Sequence, residues 1–175
     1  LVQELNLTPD AYVLLTLHRA ENTTTATLRG ILQAINTLAE RWDFVFPIHP
    51  RTRAVMETLE SSITPHPRIQ IIEPVGYLDM LSLLTHARAV ITDSGGLQEE
   101  AATLGTPLLI ARQETEWMYL VDAGAAMIIG NSHDAILEVA PGLLQQGRAA
   151  FQMIDSGSQR GAAERITQRI LDCDL

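Results

Sequence analysis

The chain has 175 residues, 46% apolar and 19% charged, a balance that suits one globular domain and excludes an intrinsically disordered chain. A net charge of −9 without any Lys/Arg cluster argues against a nucleic-acid partner, and no apolar run approaches the roughly 20 residues a membrane-spanning helix needs. One cysteine, Cys173, leaves neither a disulfide framework nor a cysteine-based zinc site, and fits a reduced, cytoplasmic setting.

Tyr12–His18 is a β-rich apolar run, ended by the polar stretch Arg19–Thr25. From Thr25 to Arg41, residues Leu28, Ile31, Leu32, Ile35, Leu38 and Ala39 recur at helical spacing and make the stripe of an amphipathic helix. Asp43–His49 reads as a second strand, Thr52–Leu59 as a helix and Arg68–Ile72 as a third strand. Tyr77–Ala87 has helical spacing, Ala89–Thr92 is strand-like, Leu97–Leu104 is helical and Pro107–Ala111 is a fifth strand. Ala125–Ile129 is the last strand, His133–Gln146 a helix, and a polar helix is predicted over Gly161–Leu171. Strands that alternate with helices pair in parallel, because each connection must cross over the sheet. The predicted fold is α/β: a Rossmann-like doubly wound parallel sheet of about six strands, forming a single domain over residues 1–175. Ligands of such sheets lie beyond the carboxyl ends of the strands, where loops feed helix N-termini.

Two strand-end loops carry unusual chemistry. In the first, Ile91-Thr92-Asp93-Ser94-Gly95-Gly96-Leu97-Gln98-Glu99-Glu100, paired glycines let backbone N–H groups approach a phosphate, the helix dipole favours its charge, and the Ser94 hydroxyl adds a donor. Glu100 then has the reach to hold two vicinal ribose hydroxyls. The plainer alternative is that Ser94 caps an ordinary helix whose dipole Glu99 and Glu100 complement. No capping box supports that serine, because Leu97 stands where a glutamate or glutamine would be needed. The second loop, Leu17-His18-Arg19-Ala20-Glu21-Asn22, crowds an imidazole, a guanidinium and a carboxylate at the end of the first strand, a set that can trade protons and pair with phosphate oxygens. His49, between Pro47 and Pro50, reads first as a turn residue. His66 and His86 lack functional neighbours, and no set of His, Asp or Glu has metal-ligand spacing, so no metal is expected.

In this order, LTLHRAEN at Leu15–Asn22, TDSGGLQEEA at Thr92–Ala101 and LGTPLLIARQETEW at Leu104–Trp117 resemble the C-terminal half of the non-hydrolysing UDP-N-acetylglucosamine 2-epimerases over nearly the whole chain. The resemblance implies one half of a two-domain, glycosyltransferase-B-type architecture whose active site lies between the domains. His18 then matches the active-site histidine, Ser94, Gly95 and Gly96 the diphosphate loop, and Glu100 the ribose carboxylate. Met80 matches the position that presents main-chain contacts to uracil, and Arg19, Glu21 and His49 match residues that contact a second UDP-sugar in regulated bacterial members. The implied reaction inverts C2 of UDP-N-acetylglucosamine by eliminating UDP and adding it back, giving UDP-N-acetylmannosamine with no cofactor. The implied partners are the UDP-sugar, an N-terminal domain of the same protein and a second copy in a homodimer. The chain starts at Leu1, not methionine, which fits an excised half that does not turn over alone.

The match has one departure. Many members read Thr-Glu-Arg-Pro-Glu where this chain reads Thr115-Glu116-Trp117-Met118-Tyr119, which replaces an arginine and a later carboxylate. Relatives reading Thr-Glu-Trp include enzymes acting on other UDP-2-acetamido sugars, among them diacetamido uronic acids. The competing readings are an epimerase of such a sugar, the donor-binding half of a glycosyltransferase, and a UDP-sugar-binding module without chemistry.

Overall fold

A computed structural model describes residues 1–59 and 63–151. The strands β1 (Tyr12–Thr16), β2 (Asp43–Pro47), β3 (Ile69–Ile72), β4 (Ala89–Thr92), β5 (Leu108–Ile110) and β6 (Ala126–Ile128) form one parallel sheet in the order β3-β2-β1-β4-β5-β6. The fold is the expected α/β doubly wound one. The order reverses between β1 and β4, which places a crevice beyond the ends of those two strands.

Alternation along the strands divides the core between two faces, since successive side chains point to opposite sides of a sheet. Val13, Leu15, Phe44, Phe46, Ile91 and Leu109 bury one face with α1 (Thr25–Leu38) and α6 (His133–Gln146). Tyr12, Leu14, Val45, Val90, Leu108 and Ile110 bury the other with α3 (Tyr77–His86) and α4 (Gly95–Leu104). The helix α2 (Pro50–Glu57) follows β2, and a short α5 (Met118–Asp122) precedes β6. The sequence pattern misses α5, whose five residues are too few to show a helical period. It also starts α4 two residues late, at Leu97, because glycine is a poor helix former, whereas Gly95 and Gly96 are its first turn. The helix predicted at Gly161–Leu171 lies outside the described residues. Among those described, no helix is long and apolar enough to cross a membrane.

The ends of α4 and α3 are secured differently, the first by local backbone and the second by side chains from distant elements. Left-handed Gly105 ends α4 at φ 69°, a conformation that suits a residue without Cβ, and Thr106 N–H returns to the Ala101 carbonyl. No such glycine ends α3; instead its last carbonyls receive Tyr12 Oη at 2.6 Å on Leu83, Thr106 Oγ1 at 2.9 Å on Leu84 and Arg148 Nη2 at 2.8 Å on Thr85. Burial, reinforced by the charge of Asp10, pushes the Tyr12 phenol above its ordinary range, so it remains a donor at every working pH. Tyr12→Phe should therefore lower stability by about 1–2 kcal/mol in urea unfolding, because a buried carbonyl loses its partner. An unchanged midpoint would show that Leu83 has no need of it.

Candidate functional site

The two motif loops emerge side by side at the point where the strand order reverses. Thr16 and Thr92 are register partners at the ends of β1 and β4, and their hydroxyls lie 2.6 Å apart. One residue further, Asp93 is completely buried and fastens the loop after β1 to the loop after β4. Its carboxylate accepts the backbone N–H of His18 at 3.0 and 3.1 Å, that of Arg19 at 2.9 Å and the Asn22 side-chain amide at 3.0 Å. His18 Nδ1 stands 3.0 Å from Asp93 Oδ1. Burial alone would raise this carboxyl's pKa, but the bonds from the His18 ring and from the Arg19 and His18 amides outweigh it, and the carboxyl sits below its ordinary range. Asn22 also donates to the Ala111 carbonyl at 2.8 Å and accepts from Asn131 at 2.9 Å, which extends the fastening to the loops after β5 and β6. Sequence reasoning gave Asp93 no role, because its partners lie some 70 residues away.

Beyond Asp93 the chain turns directly into α4. Ser94 is its N-cap and accepts the Leu97 N–H at 3.5 Å, a long bond that leaves the hydroxyl proton free to be donated. The plainer reading of Ser94 as a cap is thus realised, and it is compatible with an anion-facing hydroxyl. The N–H groups of Gly95 and Gly96 have no acceptor among the described residues, as befits the first turn of a helix. A Cβ added at Gly96 would meet nothing within 4 Å among the described residues, whereas one at Gly95 would lie 3.4 Å from Trp117 Nε1 and 3.5 Å from Arg19 Nη2. The space over this helix end is open, and its rim carries an indole N–H and a guanidinium.

An open cleft of about 510 Å³ occupies this corner of the molecule. His18, His49, Met80, Ser94, Gly96 and Glu100 all line it, so six of the residues singled out from the sequence converge. Glu100 follows Gly96 by four residues and shares its helix face. Val75, Tyr77, Met80 and Leu97 add an apolar wall, of which only Met80 was anticipated. Gly95 lies behind this lining, against Arg19 and Trp117.

Arg19 and Glu21 turn away from the cleft lining into a second cluster. Arg112, 6% exposed, donates to Glu21 Oε1 at 3.1 Å and to Glu116 Oε2 at 2.6 Å, and Glu116 also receives Arg19 Nη2 at 3.2 Å. The Arg112 bond, ahead of the neighbouring charges, holds the Glu116 carboxyl down at about 2. Burial works against the Arg112 charge, but the bonds and charges of Glu116 and Glu21 raise its pKa beyond the ordinary arginine value. Arg19 Nε donates to the Asp93 carbonyl at 3.2 Å, so this cluster is continuous with the fastening. No three His, Cys, Asp or Glu side chains converge as metal ligands among the described residues.

The family model for UDP-N-acetylglucosamine 2-epimerase matches residues 2–171. A curated relative from Pseudomonas aeruginosa, UDP-2,3-diacetamido-2,3-dideoxy-D-glucuronate 2-epimerase, is 44% identical over 133 residues, which are 75% of this chain and 36% of the relative. The crystal structure of the Methanocaldococcus jannaschii UDP-GlcNAc 2-epimerase in complex with UDP-GlcNAc and UDP superposes with a TM-score of 0.78 at 33% identity, covering 95% of this chain and 48% of that one. The calicheamicin glycosyltransferase superposes at 0.61 and 21% identity over 95% of this chain and 44% of its own, a likeness of fold alone. The chain thus spans less than half the length of these proteins. A match along nearly the whole sequence, on a sheet whose strand-end loops meet as described, establishes that the chain belongs to the UDP-N-acetylglucosamine 2-epimerase family.

Proposed function

We propose that this chain is the UDP-gripping half of an epimerase that inverts C2 of UDP-N-acetylglucosamine by eliminating and re-adding UDP. The observation that carries the proposal is the free first turn of α4 at the reversal of strand order: Gly95 and Gly96 present N–H groups without acceptors among the described residues, and Glu100 follows on the cleft wall. In this reading the diphosphate sits at that helix end, where the dipole and oriented donors offset the charge that builds as UDP departs. Glu100 accepts from the ribose hydroxyls, and the wall of Val75, Tyr77 and Met80 takes the uracil ring. His18 faces the sugar. The remaining acid and base groups belong to an N-terminal domain of the same protein, so the chain alone binds without turnover, and the complete protein pairs with a second copy.

A second reading, an epimerase of a diacetamido uronic acid sugar, is favoured by the 44% identity to the Pseudomonas relative and by Trp117 at the rim of the cradle.

Calorimetric titration of this chain separates the parts of the grip. Glu100→Ala should weaken UDP about tenfold or more while leaving pyrophosphate nearly unaffected, since a charged acceptor is lost only to the ribose. Gly96→Ala should leave stability unchanged or slightly raised, because its Cβ meets no atom of the described residues within 4 Å, and should weaken both ligands. Equal losses on Glu100→Ala would contradict the ribose role. In the complete protein, turnover in deuterated water should place deuterium at C2 of both epimers, with UDP-N-acetylglucosamine and the diacetamido uronic acid sugar deciding between the two substrates. Exchange without any epimer would contradict the reaction.

A further inference from the structure

The cleft holds two imidazoles, His18 and His49, whose ring centroids are 5.6 Å apart at a tilt of 39°. Their Nδ1 atoms are engaged in opposite senses. His18 Nδ1 faces Asp93 Oδ1 at 3.0 Å, and an ionised carboxylate only accepts, so Nδ1 carries a proton. His49 is the N-cap of α2, and its Nδ1 accepts the Arg51 N–H at 3.1 Å, so there Nδ1 is bare. In a neutral imidazole one nitrogen donates and the other accepts. The consequence is a bare Nε2 on His18 and a protonated Nε2 on His49.

Both settings are built into the fold. The backbone of His18 is tied to Asp93, and its carbonyl receives Arg51 Nη1 at 3.3 Å. Thr52, from the first turn of α2, donates to the Leu17 carbonyl, which ties α2 to the His18 loop. His18 can take a proton on Nε2 and keep its bond to Asp93. His49 cannot take one on Nδ1 without uncapping α2.

We propose that Asp93 is a positioning residue which, together with the N-terminus of α2, sets the two histidines in opposite tautomers, so that the cleft offers a fixed acceptor at His18 Nε2 beside a fixed donor at His49 Nε2. A hydroxyl, which donates and accepts at once, is the ligand group that matches such a pair. A phosphate or carboxylate would satisfy only the donor. That the hydroxyl belongs to a sugar rests on the UDP-sugar reading; the tautomers do not.

The sequence contains its own control. His49-Pro50-Arg51 recurs as His66-Pro67-Arg68, where His66 Nδ1 accepts the Arg68 N–H at 3.2 Å outside the cleft lining. Long-range proton–nitrogen correlation spectra of the nitrogen-15-labelled chain, recorded at about pH 8.5 where imidazoles are neutral, read each tautomer directly. The expected result is His18 protonated on Nδ1 and bare on Nε2, with His49 and His66 the reverse. His18 protonated on Nε2, His49 protonated on Nδ1, or fast averaging at either ring would overturn the proposal with no substitution needed. Asp93→Asn should reduce the Nδ1-protonated population of His18 and leave His49 unchanged; an unaltered His18 would remove Asp93 from the account. Titrating a UDP-sugar into the same sample keeps the two readings apart. Correct tautomers without binding would overturn the function and not the tautomers, and binding with the wrong tautomers would do the opposite.

Discussion

The rest of the structure depends on one buried carboxylate. Asp93 sits without solvent contact where the sheet reverses its strand order, and it serves two loops that the sequence separates by more than 70 residues. A buried charge is tolerated only when its acceptor positions are filled, and here backbone amides, an imidazole and a side-chain amide fill them. Without it, the His18 and Arg19 amides and the Asn22 side chain, all in the loop after β1, would lose the acceptor they share from the loop after β4. The fastening therefore does structural work first. The same carboxylate also orients the His18 ring.

Two electrostatic systems grow from that point and divide the labour. Towards the cleft, the N–H groups at the start of α4, unpaired among the described residues, are positive and preorganised, the arrangement that stabilises a leaving diphosphate in the proposed reaction. Away from it, Arg19, Arg112, Glu21 and Glu116 neutralise one another in pairs. Glu116 is about half exposed, so its bridges add little stability themselves. Their value is geometric: Glu116 holds the Arg19 guanidinium beside Gly95, while Trp117 places an indole on the same glycine. Trp117, the first residue of the departure from the common family pattern, thus falls on the rim of this helix end.

Much of the fold was legible because local pattern and tertiary outcome agree. Every strand read from apolar runs is present, and its ends differ by a residue or two where pairing stops before burial does, as at Leu17 and Ile48, which are buried beyond the last ladder residues. Helix α5 was hidden by its length, and the first turn of α4 by its glycines. The site was half legible. The Ser94–Gly96 loop, Glu100 and His18 carry recognisable chemistry in adjacent residues, and they line one cleft together with His49 and Met80. Asp93 and Arg112 could not be read this way, because what distinguishes them is burial among partners brought from elsewhere in the chain. His49 shows the limit most clearly, since it both caps α2 and lines the cleft.

The fastening can be tested through its proton. A carboxyl whose pKa is depressed by folding contributes stability that is present above its unfolded value, about 4, and is lost as pH falls through the lower folded value. Urea unfolding of the native chain and of Asp93→Asn should be measured from neutral pH downwards, so that all other carboxyls cancel in the difference. The account predicts a gap of about 3–5 kcal/mol near neutrality that narrows below about pH 4 as Asp93 takes up its proton. A gap that is absent at neutral pH, or that stays constant into acid, would contradict it.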